Sequence, residues 1–331
     1  MDAPSFDGAR RAASRTGIKH LTSRLKPIHL TLALIVVVGA FMAIGNDQFL
    51  SLYNINTILD FGAILLIAAL GQMFVILIGG IDLSVGGTIS LVSVVFITLV
   101  HRIGYWAYPC CLALGLALGY INGVILTRVK IPSFIATLGT GGIITSLAYL
   151  VSPRPVSAAP GDYSMLDIVN GNVFSISNVF IIGALVFCAV AVFLRFTRTG
   201  RNIYFVGSNI RMAWMSGTDI AQTRNVPFMI SGVCAALVGI IISSVRFGGD
   251  PVVGTSYVLN SIAAVVVGGT ALTGGAGGVL NVLFGTLFLS MLDNGMNVIG
   301  VDQYFQQAIY GAMIIFGVAV TFDRKKTPII K

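Results

Sequence analysis

The 331-residue chain contains no glutamate, and all twelve of its acidic side chains are aspartate. That excludes any mechanism built on a catalytic Glu. Charge of either sign is scarce, at 10% of residues, against roughly 25% in a soluble globular domain. So few charges cannot cover a water-facing surface on a chain that is 56% hydrophobic. The three histidines, His20, His29 and His101, are scattered and offer no ligand cluster. The four cysteines (Cys110, Cys111, Cys188, Cys234) lie in apolar runs and read as small packing residues, so neither a disulfide framework nor a metal site is expected. No G-x-x-x-x-G-K-[ST] stretch occurs, which removes the usual phosphate-cradling loop. Nor is there a recognisable nucleophile–base arrangement, so an intramembrane enzyme lacks support.

What the chain has instead is long apolar runs. They predict an all-α membrane protein with ten spans, at 28–45, 56–78, 82–100, 106–126, 132–151, 174–195, 226–245, 257–271, 277–296 and 303–322. The net charge of +8 would suggest nucleic acid in a soluble protein. Here the basic residues fall between apolar runs and set orientation instead. With ten crossings, every Lys and Arg except Arg102, Arg154 and Arg246 lies on the side of the termini, which places both termini in the cytosol. Residues 1–27 then form a basic cytoplasmic tail, 28–322 the membrane domain and 323–331 a second basic tail. A transit peptide is the alternative for the first segment. A cleaved signal is disfavoured because the run after Pro27 is too long and Arg10–Arg11 lies too far upstream of it.

Three stretches stand out. "GGIDLSVGG" (79–87) holds Asp82, the one charge between Phe61 and Val100. It reads as the turn between two spans, with Gly79, Gly80 and Gly86 permitting close approach. Asp82 is expected at the cytosolic membrane edge, accepting nearby backbone N–H groups and capping the next helix, with Ser84 as a second local hydrogen-bonding group. The competing reading makes it part of an inner gate. "GGTALTGGAGG" (268–278), with Gly268, Gly269, Gly274 and Gly275, is too glycine-rich for a continuous span. It predicts either a broken helix or re-entrant turn buried in protein, or close helix packing alone. Third, "NIRMAWMSG" (209–217) reads as a two-turn helix capped by Asn209 and ended by Gly217. Ile210, Ala213, Trp214 and Gly217 share its apolar face. That face either docks a partner, folds back on the bundle, or lies at the lipid surface. Farther along, Asn260, Asp293, Asn294 and Asn297 place polar groups near the outer halves of two spans, as a path for a hydroxylated solute or as polar contacts between helices.

"TGRNIYFVGSNIRMAWMSGTDI" (199–220), "GGIDLSVGG", "AAVVVGGTALTGGAGG" (263–278) and "DNGMNVIGVDQYFQQ" (293–307) resemble, in order, signature segments of ribose-type ABC sugar importer permeases. The resemblance implies the ABC importer permease fold in a bacterial cytoplasmic (inner) membrane. It implies a chain that is not itself an enzyme and binds no cofactor, with ATP and Mg on cytosolic ATPase subunits. The implied partners are those ATPases, a periplasmic sugar-binding protein and a second permease subunit in the bilayer, with no nucleic acid. The 196–225 loop would carry the helix that couples to the ATPase, which assigns Gly200, Arg201, Gly207, Asn209, Ala213, Ser216 and Gly217 to that role. The chain departs from the family pattern at Gly207-Ser208, Ile210-Arg211, Gly217-Thr218, Val258 and Asn260. Those departures leave open the sugar (pentose, hexose or a furanose autoinducer-type signal) and a homo- or heterodimeric pore. A proton- or cation-coupled carrier using Asp60, Asp82 or Asp293 is the competing function.

Overall fold

A computed structural model describes residues 27–174 and 176–321. The tails expected at 1–27 and 323–331 lie outside the described residues, except Pro27, which begins the first helix. Each expected apolar segment coincides with a helix. In chain order the helices are α1 (Pro27–Gly45), α2 (Leu52–Leu77), α3 (Val85–Ile103), α4 (Ala107–Val124), α5 (Ser133–Val151), α6 (Tyr163–Asn170), α7 (Asn178–Phe196), α8 (Arg198–Ser208), α9 (Ile210–Met215), α10 (Ile220–Val245), α11 (Thr255–Val267), α12 (Val279–Val298) and α13 (Gln303–Thr321). Seven stretches among the described residues are long and apolar enough to cross a membrane, with α3 and α4 lying in one run and α11 falling short at 13 residues. Strand structure among the described residues is confined to two antiparallel ladders of two-residue strands. β1 (Val156–Ser157) pairs with β4 (Gly248–Gly249), and β2 (Asn172–Val173) pairs with β3 (Ile176–Ser177).

Two helices form the core. In the most apolar window of α2, 78% of residues are buried, and in that of α10, 72%. They pack on each other, and α10 also packs on α3 and α4. Buried Phe74, Leu70, Met73 and Phe228 centre this cluster. By contrast α1 exposes Val36, Val37, Phe41 and Ile44. An apolar surface of that extent needs lipid or another apolar surface against it, not water. The α4–α10 contact is backbone to backbone. A Cβ built on Gly115 would lie 2.4 Å from the Gly232 carbonyl oxygen, and one on Gly232 would lie 2.1 Å from that of Gly115. Gly115, Gly119 and Gly123 recur every fourth residue on α4 and so face α10 together.

The bundle has two ends. At the upper end His101 meets Asp162, and β1 meets β4. At the lower end the Leu77 carbonyl accepts the Gly275 N–H at 2.9 Å. The charge pattern makes the lower end the expected cytosolic side. Two non-helical segments run back into the bundle from opposite ends: 78–84, extended only in its middle, from the lower and 248–254, a two-residue strand followed by a turn, from the upper. They meet where a Cβ on Gly254 would lie 2.1 Å from the Gly86 oxygen. Helices α3 and α11 therefore start inside the protein. Of the two readings of the 268–278 stretch, close packing is seen, a Cβ on Gly268 lying 2.0 Å from the Asn281 oxygen, and a buried re-entrant turn is not. The stretch forms an irregular turn at the lower end, with Thr273, Ala276 and Gly277 exposed and the Gly268 oxygen accepting from Asn281 Nδ2 at 2.9 Å.

Candidate functional site

The 78–84 segment explains why the chain keeps a carboxylate here. Extended backbone inside a bundle has no helical partners, so its polar groups must be satisfied by side chains. Ser133 Oγ accepts the Ile81 N–H at 3.0 Å. Thr137 Oγ1 accepts the Leu83 N–H at 3.0 Å and donates to the Ile81 oxygen at 3.1 Å. The Gln72 amide, set with its nitrogen toward the Asp82 carbonyl, donates to it at 3.0 Å and accepts the Asp82 N–H at 3.2 Å. Three side chains thus stand in for a neighbouring strand. Gly79 makes the turn that starts the segment, at φ +74°, and Gly80 packs on Val75 and Ser133.

Asp82 lies inside the bundle and not at its lower surface. It is 2% exposed, and Ser231, which donates to its Oδ2 at 2.8 Å, lies eleven residues into α10. That is about 16 Å from the helix start at 1.5 Å per residue. The Gly79 turn stands at the lower end, and the chain re-enters the bundle before α3 begins. Asp82 Oδ1 accepts both the Ser84 N–H at 3.0 Å and the Ser84 hydroxyl at 2.6 Å. Ser84, not Asp82, is the N-cap residue of α3, and no side chain caps that helix. The network runs on. Asn122 Nδ2 donates to Ser84 Oγ at 2.7 Å, and Thr140 donates to Asn122 Oδ1 at 2.6 Å. Asp82 thereby ties α3, α4, α5 and α10 together. Sequence reasoning missed Gln72, Asn122, Thr137 and Ser231. A lone Gln inside the apolar α2 was the available signal.

Removing that carboxylate has a calculable effect. Asp82→Ala leaves the Ser84 and Ser231 hydroxyls and one N–H without an acceptor, and each buried unsatisfied group costs about 1–3 kcal/mol. A large drop in melting temperature and in yield from detergent is expected. An Asp82→Ala protein that melts with the wild type would refute the structural role.

A cavity of about 600 Å³ opens in the upper half, between α2, the 248–254 segment, α11, α12 and α13. That volume falls within the ~300–1,000 Å³ of small-molecule sites. Asp293 and Asn297 lie four residues apart on α12, and Gln306 and Tyr310 lie four apart on α13, so each pair shares a face. Tyr310 donates to Asp293 at 2.5 Å, and Gln306 Nε2 donates to Asn297 at 2.8 Å. Asn260, Arg246, Asp250, Ser256, Ser290 and Gln307 are among the other polar residues of the lining. The Asn260 side chain makes no hydrogen bond among the described residues, so its amide is free for a ligand. Asn294 does not join them. One residue on from Asp293, it turns away and exchanges amide hydrogen bonds with Asn54 at 2.9 and 3.1 Å. The three aspartates considered for ion coupling do not converge: Asp82 sits in the lower network, Asp293 lines the upper cavity, and Asp60 lies on α2 outside both.

At the lower end, the 209–217 helix is where its capping residues predict. Asn209 accepts the Met212 N–H at 3.0 Å. Past the last turn, Gly217 at φ +78° lets its own N–H reach the Trp214 oxygen at 3.0 Å and the Thr218 N–H reach that of Ala213 at 3.1 Å. The shared face divides, however. Ala213 is fully buried, whereas Ile210, Met212, Trp214 (70% exposed) and Met215 (73% exposed) point outward. The other residues assigned to coupling divide in the same way. Gly200 packs on Phe193 and Leu194, and a Cβ on Gly207 would lie 1.8 Å from the Leu77 oxygen. Arg201, Asn209, Ser216 and Gly217 are exposed. In α8, burial pushes the Tyr204 hydroxyl pKa upward, and that hydroxyl donates to the Gly277 oxygen at 3.3 Å. Gly274 and Gly275 pack on Gly79 and Ser208, and Gly269 follows the end of α11. Backbone contacts therefore connect α8 to the foot of α2 and so to the Asp82 segment.

The family profile described as branched-chain amino acid transport system / permease component matches residues 54–318. The chain is 35% identical to the ribose import permease protein of Haemophilus influenzae, over 87% of this chain and 90% of that one. It is 32% identical to the D-allose transport system permease protein of Escherichia coli, over 92% and 97%. With the fructose import permease protein of Rhizobium meliloti it shares 32% identity, over 96% and 91%. No solved structure matches.

Proposed function

This chain belongs to the permease family of ABC importers, and on that premise we propose that it is the membrane subunit carrying a monosaccharide inward, driven by a separate ATPase. The observation that carries this reading is the upper cavity. Its lining of amide, carboxyl and phenol groups offers donors and acceptors in the density that a ring of sugar hydroxyls requires. An extracytoplasmic binding protein delivers the sugar to the upper end. ATP and Mg bind the ATPase subunits and not this chain. The exposed apolar face of α9 supports ATPase docking, and the rigid contact of α8 with Leu77 and Gly275 supports transmission of its movement to α2. The weakly buried α1 and α7 leave apolar surface for lipid and for a second permease subunit. Ten crossings with both termini in the cytosol, in the bacterial inner membrane, complete the arrangement.

Asn260→Leu tests the path. Its side chain makes no bond that the fold depends on, so the variant folds. Losing one sugar hydrogen bond costs about 1 kcal/mol or more, so uptake at low sugar falls several-fold. The measurement is labelled ribose, allose and fructose uptake into liposomes holding the permease, ATPase and binding protein. Unchanged uptake of every sugar by Asn260→Leu would place the path elsewhere. Uptake by the chain alone, without ATP, would replace the importer reading with a carrier.

A further inference from the structure

We propose that the lower end of the bundle holds the phosphate headgroup of an anionic phospholipid, in a cavity between the end of α4 and the start of α10. The cavity measures about 550 Å³ and is lined by Thr127, Lys130, Ile131, Ile220, Ala221 and Arg224, among others. Its central feature is a cation without an anion. Arg224 is half-buried and has no ion pair or hydrogen bond among the described residues, and its Nε is buried with no acceptor. The acid nearest in sequence, Asp219, caps α10, accepting the Gln222 N–H at 3.0 Å. The one contact between a basic side chain and a carboxylate among the described residues, His101 Nδ1 to Asp162 Oδ2 at 3.1 Å, stands at the upper end. A partly desolvated guanidinium with no acceptor is costly, and an anion in the cavity removes that cost.

The cavity supplies a second cation as well. Lys130 follows a π-helical turn (Ile125–Val129) and is held at φ +63°, a left-handed conformation that a side-chain-bearing residue adopts only when its surroundings fix it. Ile220 and Ala221, the first residues of the 26-residue α10, line the cavity as well; the Asp219 cap already occupies that helix terminus, so the positive charge in the cavity is that of Lys130 and Arg224. Ile131, Ile220 and Ala221 give the remaining wall an apolar character. Arg224 lies one turn into α10, so the cavity sits where the apolar helices end and headgroups begin. A diester phosphate with acyl chains satisfies both the cations and the apolar wall, whereas free phosphate satisfies only the first. Basic pockets between membrane helices on the cytoplasmic side bind such headgroups by this chemistry.

The test uses the purified full chain, stripped of lipid in neutral detergent, with native mass spectrometry reading lipid adducts. Phosphatidylglycerol is expected to bind more tightly than phosphatidylcholine of the same acyl chains. Lys130→Gln and Arg224→Gln are each expected to weaken phosphatidylglycerol binding about fivefold, and Arg224→Lys to retain most of it. Lys130 is exposed, so its variant does not depend on refolding the core. Equal binding of the two lipids by the unmodified chain would overturn the proposal, as would unchanged phosphatidylglycerol binding in the double variant. Displacement of the lipid by millimolar inorganic phosphate would overturn the lipid assignment in favour of a soluble phosphate.

Discussion

A Trp214→Glu chain inserts and folds like the wild type, yet recovers about tenfold less ATPase on co-purification and shows no ATP-driven uptake. Trp214 is 70% exposed on α9 and supports nothing inside its own bundle, so its replacement spares the fold. Large exposed aromatics at the centre of a contact carry a disproportionate share of docking energy, commonly 2 kcal/mol or more. Glu adds the desolvation of a charge. Gly217→Pro reaches the same end by another route. Proline fixes φ near −65°, whereas Gly217 stands at +78° and donates to the Trp214 oxygen. The helix loses its last turn and presents its side chains wrongly. Ala213→Trp is a harsher change than its place in the sequence suggests, because Ala213 is fully buried and the helix must lift off the bundle. Normal uptake by well-expressed Trp214→Glu and Gly217→Pro chains would remove α9 from coupling.

A second substitution should destroy the protein rather than uncouple it. Gly232→Leu puts a side chain where α4 and α10 touch through backbone, with the first carbon 2.1 Å from the Gly115 oxygen. Overpacking a core ordinarily costs about 1–3 kcal/mol, and that range assumes neighbours able to rotate aside. A carbonyl in the middle of a helix cannot, so α10 must separate from the helix it packs on most. The expected result is no monodisperse peak on size exclusion in detergent. Gly142→Leu is the control, since nothing lies within 4 Å of a Cβ built there; it folds with wild-type yield. A Gly232→Leu chain that elutes and melts normally would show that this crossing is not as close as described.

Legibility in the sequence followed the range of the interaction. Helix α9 was readable to the residue because Asn209 and Gly217 act on N–H and C=O groups within a few positions of themselves. The apolar segments were readable because hydropathy and length act within one helix. The departures came where rotation or depth mattered. Ala213 and Trp214 are neighbours on an apolar stretch, but only packing against the bundle decides which is buried. Asp293 and Asn294 differ by a hundred degrees around α12, so one reaches the cavity and the other reaches Asn54. Sequence reasoning passed over the Gly115–Gly119–Gly123 repeat, and nothing local to α4 names Gly232 as the residue it meets.

The sequence by itself determined that this is a membrane protein of apolar helices, with a capped exposed helix between α8 and α10 and family signatures in order, because composition, periodicity and capping are properties of contiguous residues. Tertiary structure alone decided that Asp82 lies deep in a network with Ser84, Asn122 and Ser231, that two non-helical segments enter from opposite ends, and that Asn260, Asp293 and Asn297 share a cavity. Buried polar groups must be paired wherever the chain brings them together, and the partners are distant in the chain, 149 residues for Asp82 and Ser231 and 240 for Asn54 and Asn294.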